Sequence, residues 1–217
     1  MSLLSRDRVV VALEPQAVHA VRPKTNEKRS AAAQVPGLWQ DALKEVLAGW
    51  TRADLTVVLS NRLVRYVVVP RTAGVSGDAE EATLARHHFT RLHGERSRDW
   101  DVRYDRETGL ASAIDKSLIE ELKNLVRLRS LQPYLMAAFN RLRSRIPAEG
   151  AWIVLPEAQA TCVALYAKGA WTGVSVSRAT GNEAIERERM RMGSAQAPST
   201  VLTPPGNDGY VMAMTAL

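Results

Sequence analysis

The feature that most constrains the fold of this chain is a hairpin pattern that recurs three times. Residues 9–21, 55–69 and 152–176 each contain a run of strand-forming apolar residues, a short interruption and a second such run. β-Branched runs of this length, bounded by turn-forming residues, predict antiparallel strand pairs. Between them, residues 38–50 and 78–92 carry apolar side chains at helical spacing. The pattern therefore predicts an α/β protein in which mixed sheets are flanked by helices.

The order of the predicted elements indicates two lobes. Residues 1–148 contain two of the three hairpins and most of the predicted helices, and are expected to form a first lobe with inserted elements. The pair Glu149-Gly150, which precedes the predicted strands at 152–176, is the best candidate for the boundary. Residues 149–217 are expected to form a smaller, truncated second lobe that ends in a strand at 210–216. The polar stretch 22–33 is expected to be a loop.

Composition places the chain among ordinary globular proteins. The apolar fraction is 46% and the charged fraction is 24%, which is typical of soluble domains. No apolar stretch approaches the roughly 20 residues needed to cross a bilayer, and the N-terminal residues lack the apolar core of a signal peptide. The single cysteine, Cys162, lies in a strand pattern and is expected to be buried. These features predict a cytoplasmic protein, since a lone cysteine fits a reducing compartment.

The chain is basic, with a formal net charge of +6 and 29 basic residues, of which six are lysine and 23 are arginine. An arginine bias has two sources that the sequence leaves open, a GC-rich genome or recognition of phosphate and carboxylate groups by the guanidinium fork. The densest basic group comprises Arg127, Arg129, Arg141, Arg143 and Arg145. Arg141 and Arg145 are four residues apart, which places them on one face of the predicted helix.

This basic group has three interpretations: a plain solvated face, a docking patch for an acidic partner or the inner membrane, and a nucleic-acid site. A positive field favours contact with acidic partners and anionic lipid headgroups. Nucleic acid is disfavoured because few aromatic residues are interleaved and no recognition motif is present. The sequence leaves a solvated face and partner binding open, so these arginines are the candidate partner-binding residues, and no nucleic acid is expected.

Residues 57–70, VVLSNRLVRYVVVP, form a strand–turn–strand–Pro unit that is followed by an acidic helix expected to be capped by Asp78. This unit resembles one in the cytoplasmic assembly proteins of bacterial pilus and type II secretion machines, namely PilM of type IV pili and the cytoplasmic domain of the secretion L component. Residues 151–178 resemble the start of their second lobe. The resemblance implies actin/Hsp70-like lobes with ribonuclease H-like sheets.

The departures from that family concern nucleotide binding. The resemblance implies that ATP-binding members carry Asp-x-Gly at two hairpin turns. In this chain those places hold Glu14-Pro15-Gln16 and Pro156-Glu157-Ala158. A phosphate cradle needs consecutive backbone N–H groups and glycine, and proline removes a donor. Glu14, Gln16 and Glu157 are therefore predicted to be degenerate phosphate-turn positions in a pseudo-ATPase that holds no cofactor.

The predicted function is a non-enzymatic cytoplasmic scaffold of a type IV pilus-like or type II secretion-like assembly. The resemblance implies that it docks the cytoplasmic tail of an inner-membrane component, which would hold it at the cytoplasmic face of that membrane. The assembly ATPase and a second copy of the chain are further candidate partners that the resemblance implies. The alternatives are a kinase- or ATPase-like enzyme with an atypical nucleotide site and a basic nucleic-acid-binding regulator.

Catalytic and metal sites are not predicted. His87, His88 and His93 are clustered in sequence, but their spacing does not give the i, i+4 pair that helical metal sites use. Ser60 and Ser112 lack the Gly-x-Ser-x-Gly context of a hydrolase nucleophile. Glu14 and Glu157 could face each other as a carboxylate pair, although glutamates in surface turns are routine.

Overall fold

The computed structural model describes residues 7–35, 37–50, 53–70, 77–179, 181–192 and 198–204. The strands are β1 (Arg8–Leu13), β2 (Ala17–Arg22), β3 (Glu27–Ala32), β4 (Asp54–Leu59), β5 (Arg65–Val68), β6 (Trp100–Asp105), β7 (Leu110–Asp115), β8 (Leu128–Pro133), β9 (Ala151–Glu157), β10 (Ala160–Ala167), β11 (Ala170–Ser177) and β12 (Val201–Leu202). The helices are α1 (Gln40–Val46), α2 (Asp78–His93), α3 (Lys116–Leu125), α4 (Tyr134–Leu142) and α5 (Gly181–Met192). Short 3-10 turns span Asn61–Leu63, Gly94–Asp99 and Arg143–Arg145.

The chain forms two compact units, each assembled from separate stretches. The first contains the described residues of 1–63 and 119–141, and the second those of 64–118 and 142–204. The lobe boundary predicted at 148/149 falls inside the second unit. Glu149-Gly150 marks only the turn before β9, because the chain enters the second unit at residue 64, leaves it and returns. The strand predicted at 210–216 lies outside the described residues.

A five-stranded mixed sheet, in the order β3-β2-β1-β4-β8, is the centre of the first unit. The first three strands are antiparallel, and β4 runs parallel to both β1 and β8. β1 is buried along almost its whole length, as expected for a strand covered on both faces. The hairpin predicted at 9–21 is confirmed, whereas the loop predicted at 22–33 is wrong, since β3 lies there and pairs with β2 along all six residues.

The hairpin predicted at 55–69 is also wrong. β4 pairs with β1 and β8 in the first unit, while β5 pairs with β7 in the second. The residues between them form a 3-10 turn in which Asn61 is fully buried, as is the preceding Ser60. The Asn61 side-chain oxygen accepts a hydrogen bond from the Leu135 backbone N–H at 3.0 Å. This contact satisfies one of the donors that a helix start leaves without an intrahelical partner.

Two sheets make up the second unit. A four-stranded sheet, in the order β11-β10-β9-β12, packs against α5, with Trp152, Val163 and Ile185 at the contact. The meander predicted at 152–176 is thereby confirmed. A three-stranded sheet, in the order β5-β7-β6, packs against α2 through Phe89 and Trp100. The N-cap position of α2 is Gly77 rather than the predicted Asp78, which is the first helical residue.

None of the helices in the described part of the chain combines the length and apolar character that a membrane span requires. The α/β class with mixed sheets and flanking helices, predicted from the sequence, is confirmed.

Candidate functional site

The turn between β1 and β2 is the first of the two predicted phosphate-turn positions. The Glu14 backbone N–H donates to the Ala17 carbonyl oxygen at 2.9 Å, and Pro15 has no N–H to offer. The Glu14 side chain is only 14% exposed, and its Oε1 lies 3.5 Å from Nε2 of His19. Two adjacent positions therefore provide no donor to an incoming anion, and the carboxylate faces a histidine of the same hairpin.

The carbonyl groups of this turn are bound by the segment that follows β3. The Gly37 N–H donates to the Pro15 oxygen at 2.8 Å, and the Ala33 N–H donates to the Gln16 oxygen at 2.9 Å. The turn is thus fixed to its own unit by hydrogen bonds. A phosphate cradle needs the opposite arrangement, in which consecutive N–H groups converge on open space.

The second predicted turn is displaced along the chain. Pro156 and Glu157 belong to β9 and pair with Thr161 and Ala160, so the turn consists of Ala158 and Gln159. Proline is tolerated in this strand because β12 pairs only with Trp152 and Ile153, and Pro156 lies beyond that part. Glu157 is therefore a strand residue at the end of the hairpin, and its assignment as the centre of a turn is wrong.

Cys162 lies on β10 and is fully buried, as the sequence predicted. Burial, with smaller contributions from the charges of Glu157 and Glu188, raises the pKa of its thiol well above the ordinary value. The thiolate is the nucleophilic form of cysteine. A neutral, enclosed thiol is a packing group, and Cys162 has no part in a candidate site.

We expect Cys162 in the folded protein to resist alkylation by iodoacetamide at about pH 8, close to the ordinary pKa of a thiol. Its raised pKa keeps the thiol protonated in the folded state, and the surrounding strands exclude the reagent. In guanidinium chloride, where the protein is unfolded, Cys162 should be fully labelled. Over the same reaction time the folded protein should stay unlabelled. The control is the double variant Cys162→Ala/Ser144→Cys, whose single cysteine is at an exposed position and should label while folded. Equal rates for wild type and control would contradict the burial argument.

The structure divides the predicted basic group. Arg127, Arg129 and Arg141 belong to the first unit, and Arg143 and Arg145 to the second. The Arg127 Nε lies 2.9 Å from an Asp54 carboxylate oxygen. Because α4 ends at Leu142 and a 3-10 turn follows, the prediction that Arg141 and Arg145 share one helical face is wrong. Their role as a partner-binding patch stays a prediction.

The three clustered histidines lie on α2, where His87 and His93 are exposed and His88 is half-buried. The His93 ring lies 5.0 Å from the Trp100 ring in an edge-on arrangement and stacks on Phe89 at 6.2 Å. Burial lowers the pKa of His93, with a smaller contribution from the charge of Arg65. The residues that the structure describes contain no group of three or more histidine, cysteine or carboxylate residues that could hold a metal ion.

A groove on the first unit was not predicted from the sequence. It has a volume of about 170 Å³, and we call it the α1–α3 groove after the helices at its sides. Its lining residues are Leu43, Lys44, Leu47, Trp50, Leu55, Leu125, Val126 and Arg127. The apolar positions in this list read as core residues of two separate helices and a strand, so only their placement in three dimensions reveals the groove.

No protein-family model matches the sequence, and no curated protein matches it either. Solved structures do. A Bacteroides thetaiotaomicron protein with an actin-like ATPase fold and unknown function is 12% identical, with a TM-score of 0.60 over 95% of this chain and 85% of that chain. The chain has an actin-like fold.

Two further structural neighbours come from pilus and secretion machines. A chain of the PilM–PilN type IV pilus biogenesis complex is 16% identical, with a TM-score of 0.58 over 95% of this chain and 68% of that chain. The cytoplasmic domain of EpsL, an inner-membrane component of the type II secretion system of Vibrio cholerae, is 14% identical. Its TM-score is 0.52 over 79% of this chain and 71% of that chain. The actin-like, PilM- and EpsL-like fold predicted from residues 57–70 and 151–178 is confirmed.

Proposed function

We propose that this chain is a non-enzymatic actin-like scaffold of a type IV pilus-like or type II secretion-like assembly. The observation that carries the proposal is the closed β1–β2 turn. Glu14 donates its N–H within the turn, Pro15 has none, and the Pro15 and Gln16 carbonyl groups are bound by the chain's own backbone. In this turn two successive positions, Glu14 and Pro15, offer no N–H to a phosphate, whereas a phosphate cradle needs consecutive free N–H groups.

The likeness to the PilM–PilN complex and to the EpsL cytoplasmic domain supports the setting of this scaffold. By analogy with these machines, its partner is the cytoplasmic tail of an inner-membrane pilus or secretion component, bound as a peptide. The scaffold then lies at the cytoplasmic face of the inner membrane through its partner. The net charge of +6 favours encounter with acidic partner segments near that surface. The assembly ATPase and a second copy of the chain are further candidate partners.

The first test is thermal unfolding with and without millimolar Mg-ATP. A ligand at 100 times its dissociation constant stabilises the native state by about 2.7 kcal/mol, which raises the melting temperature of a chain of this size by roughly 5–10 °C. We expect no shift, because the β1–β2 turn does not assemble a phosphate cradle. A shift of several degrees would overturn the pseudo-ATPase assignment and favour the kinase- or ATPase-like alternative.

The second part of the test measures binding directly. Synthetic peptides covering the cytoplasmic tails of inner-membrane pilus and secretion components are titrated into the protein by calorimetry. Saturable binding of one tail is the expected result. If no tail bound and the protein bound duplex DNA in a salt-sensitive way, the scaffold proposal would be wrong. The result would favour a nucleic-acid-binding protein instead.

A further inference from the structure

Strand β6 forms one edge of the three-stranded sheet in the second unit. Its inner side pairs with β7 along all six residues, and none of the described strands pairs with its outer side. The edge of a sheet presents a row of backbone N–H and C=O groups to which a further strand can bond. Within the described residues, β6 is therefore open to a partner strand.

The other edges of the three sheets are less suited to pairing. β5 and β12 have only four and two residues. β8 ends at Pro133, which has no N–H to donate, and β3 presents an exposed lysine, Lys28, of the kind that discourages edge pairing. The outer side of β11 is occupied, since the Trp171 N–H donates to the Thr108 oxygen at 2.9 Å. β6 is six residues long and contains neither lysine nor proline.

The sequence of β6, Trp-Asp-Val-Arg-Tyr-Asp, is complementary to itself in the antiparallel direction. When Val102 of one copy lies opposite Val102 of another, Asp101 of each copy lies opposite Arg103 of the other. Trp100 likewise lies opposite Tyr104. Directly opposed residues share a face of the sheet, with Cβ atoms about 4.5–5.5 Å apart. One five-residue ladder therefore forms two opposite-charge pairs and two aromatic pairs about a two-fold axis, as a symmetric dimer requires.

Asp101 and Arg103 also pair within their own strand. The Arg103 Nε lies 2.9 Å from Asp101 Oδ2, and the two side chains are 79% and 34% exposed for Arg103 and Asp101. The complementarity does not need unpaired charges, because a second copy brings the same pair in the opposite direction. Each guanidinium then lies between two carboxylates, and its terminal nitrogens provide further donors. An exposed pair is weak by itself, whereas four charges of alternating sign form a network.

The ladder ends at Tyr104, because the next pair would bring Asp105 opposite Asp99 of the second copy. The Asp105 carboxylate is held in its own turn, where it accepts hydrogen bonds from the Glu107 N–H and the Thr108 hydroxyl. Five paired residues make a small interface, and interfaces below the standard size of about 1,600 Å² are typical of weak association. The expected dimer is therefore concentration-dependent.

We propose that β6 pairs with β6 of a second copy of this chain, antiparallel and with Val102 at the two-fold axis. The two three-stranded sheets then join into one sheet of six strands. Both copies of α2 lie on the same face of it, since a two-fold axis perpendicular to a sheet preserves its faces. The dimer goes beyond the scaffold role and does not depend on it, because it involves no tail peptide and no nucleotide.

The experiment measures the mass of the full chain by sedimentation equilibrium at protein concentrations up to about 1 mM. Wild type should dimerise with a dissociation constant between about 1 μM and 1 mM. Arg103→Asp and Asp101→Arg each place like charges opposite each other, and each should weaken dimerisation at least about tenfold. The double variant Asp101→Arg/Arg103→Asp restores opposite charges in every pair and should dimerise like wild type. Lys28→Asp, on the edge strand β3, is the matched control and should also dimerise like wild type.

Mixing the two single variants tests the register. Arg103→Asp has two acidic residues where Asp101→Arg has two basic residues, so the mixture should form a heterodimer although neither variant dimerises alone. A heterodimer also shows that both variants are folded. A monomeric wild type at about 1 mM overturns the proposal, and so does a dimer that both single variants preserve. Either result leaves the scaffold role in place, since that role is tested by tail peptides and Mg-ATP.

Discussion

Replacing Gly150 by alanine is expected to destabilise the second unit by about 3–5 kcal/mol, a range reached only by severe changes. Gly150 has a φ of +105°, and a Cβ at this position would lie 2.3 Å from the Tyr166 carbonyl oxygen and 2.7 Å from the Cα of Ala167. Both are backbone atoms of β10, the strand that pairs with β9 directly after Gly150. The clash can be relieved only by separating two strands of the central ladder.

Gly169→Ala is the matched control for this prediction. Gly169 lies in the turn between β10 and β11 and also has a positive φ, +78°, but a Cβ there meets nothing within 4 Å among the described residues. Its expected cost is that of the left-handed backbone alone, about 1–2 kcal/mol. The measurement is guanidinium unfolding followed by circular dichroism for both variants. Equal losses of stability would show that backbone conformation, rather than the close approach to β10, is what demands glycine at position 150.

Local patterns predicted most of the strands, but not all of their partners. The apolar runs at 9–21 and 152–176 pair within themselves, because each turns in two or three residues. The run at 55–69 has the same composition, yet β4 and β5 belong to different units. Between them lies Asn61, which is fully buried and accepts a hydrogen bond from Leu135, and we infer that this contact directs the chain away from a hairpin. A contact across 74 residues leaves no local signal in the sequence.

β3 was missed for a related reason. Its sequence, Glu-Lys-Arg-Ser-Ala-Ala, has low strand propensity, and it forms because β2 offers a complete row of hydrogen-bonding groups. Charged side chains such as Lys28 are suited to the edge of a sheet, where they discourage pairing with another chain. The hydrogen-bonding edge of β2 therefore determined the conformation of residues 27–32 more strongly than their own low strand propensity did.

In the candidate site, too, features set by a single residue could be predicted from the sequence, whereas features set by distant contacts could not. Pro15 alone predicted a turn without phosphate donors, because the loss of an N–H is a property of the residue. The displacement of Glu157 from the turn depends on the register of β9 with β10, which composition does not encode. The α1–α3 groove combines residues 43–55 with the distant residues 125–127, so it becomes a feature only in the folded chain.

Replacing Asn61 by alanine is expected to cost the first unit about 2–3 kcal/mol. The change leaves the Leu135 N–H, at the buried start of α4, without the acceptor that it has at 3.0 Å, and an unsatisfied buried donor costs roughly 1–3 kcal/mol. The lost side-chain volume adds a small cavity, because Asn61 is fully buried. The measurement is guanidinium unfolding, supported by amide hydrogen exchange at Leu135, which should accelerate relative to wild type.

Asn140→Ala provides the control, since Asn140 lies on the exposed side of the same helix and its replacement should change stability by less than about 0.5 kcal/mol. Asn61→Asp adds a second discriminating result. Aspartate keeps the acceptor and its charge is favoured at a helix N-terminus, but burial of that charge is costly, so its pKa should rise and the variant should be more stable at acidic than at neutral pH. If Asn61→Ala lowered the free energy of unfolding as little as Asn140→Ala, the buried turn would not be what directs the chain from β4 into the second unit. The separation of β4 from β5 would then have to come from the pairing of β5 with β7 alone.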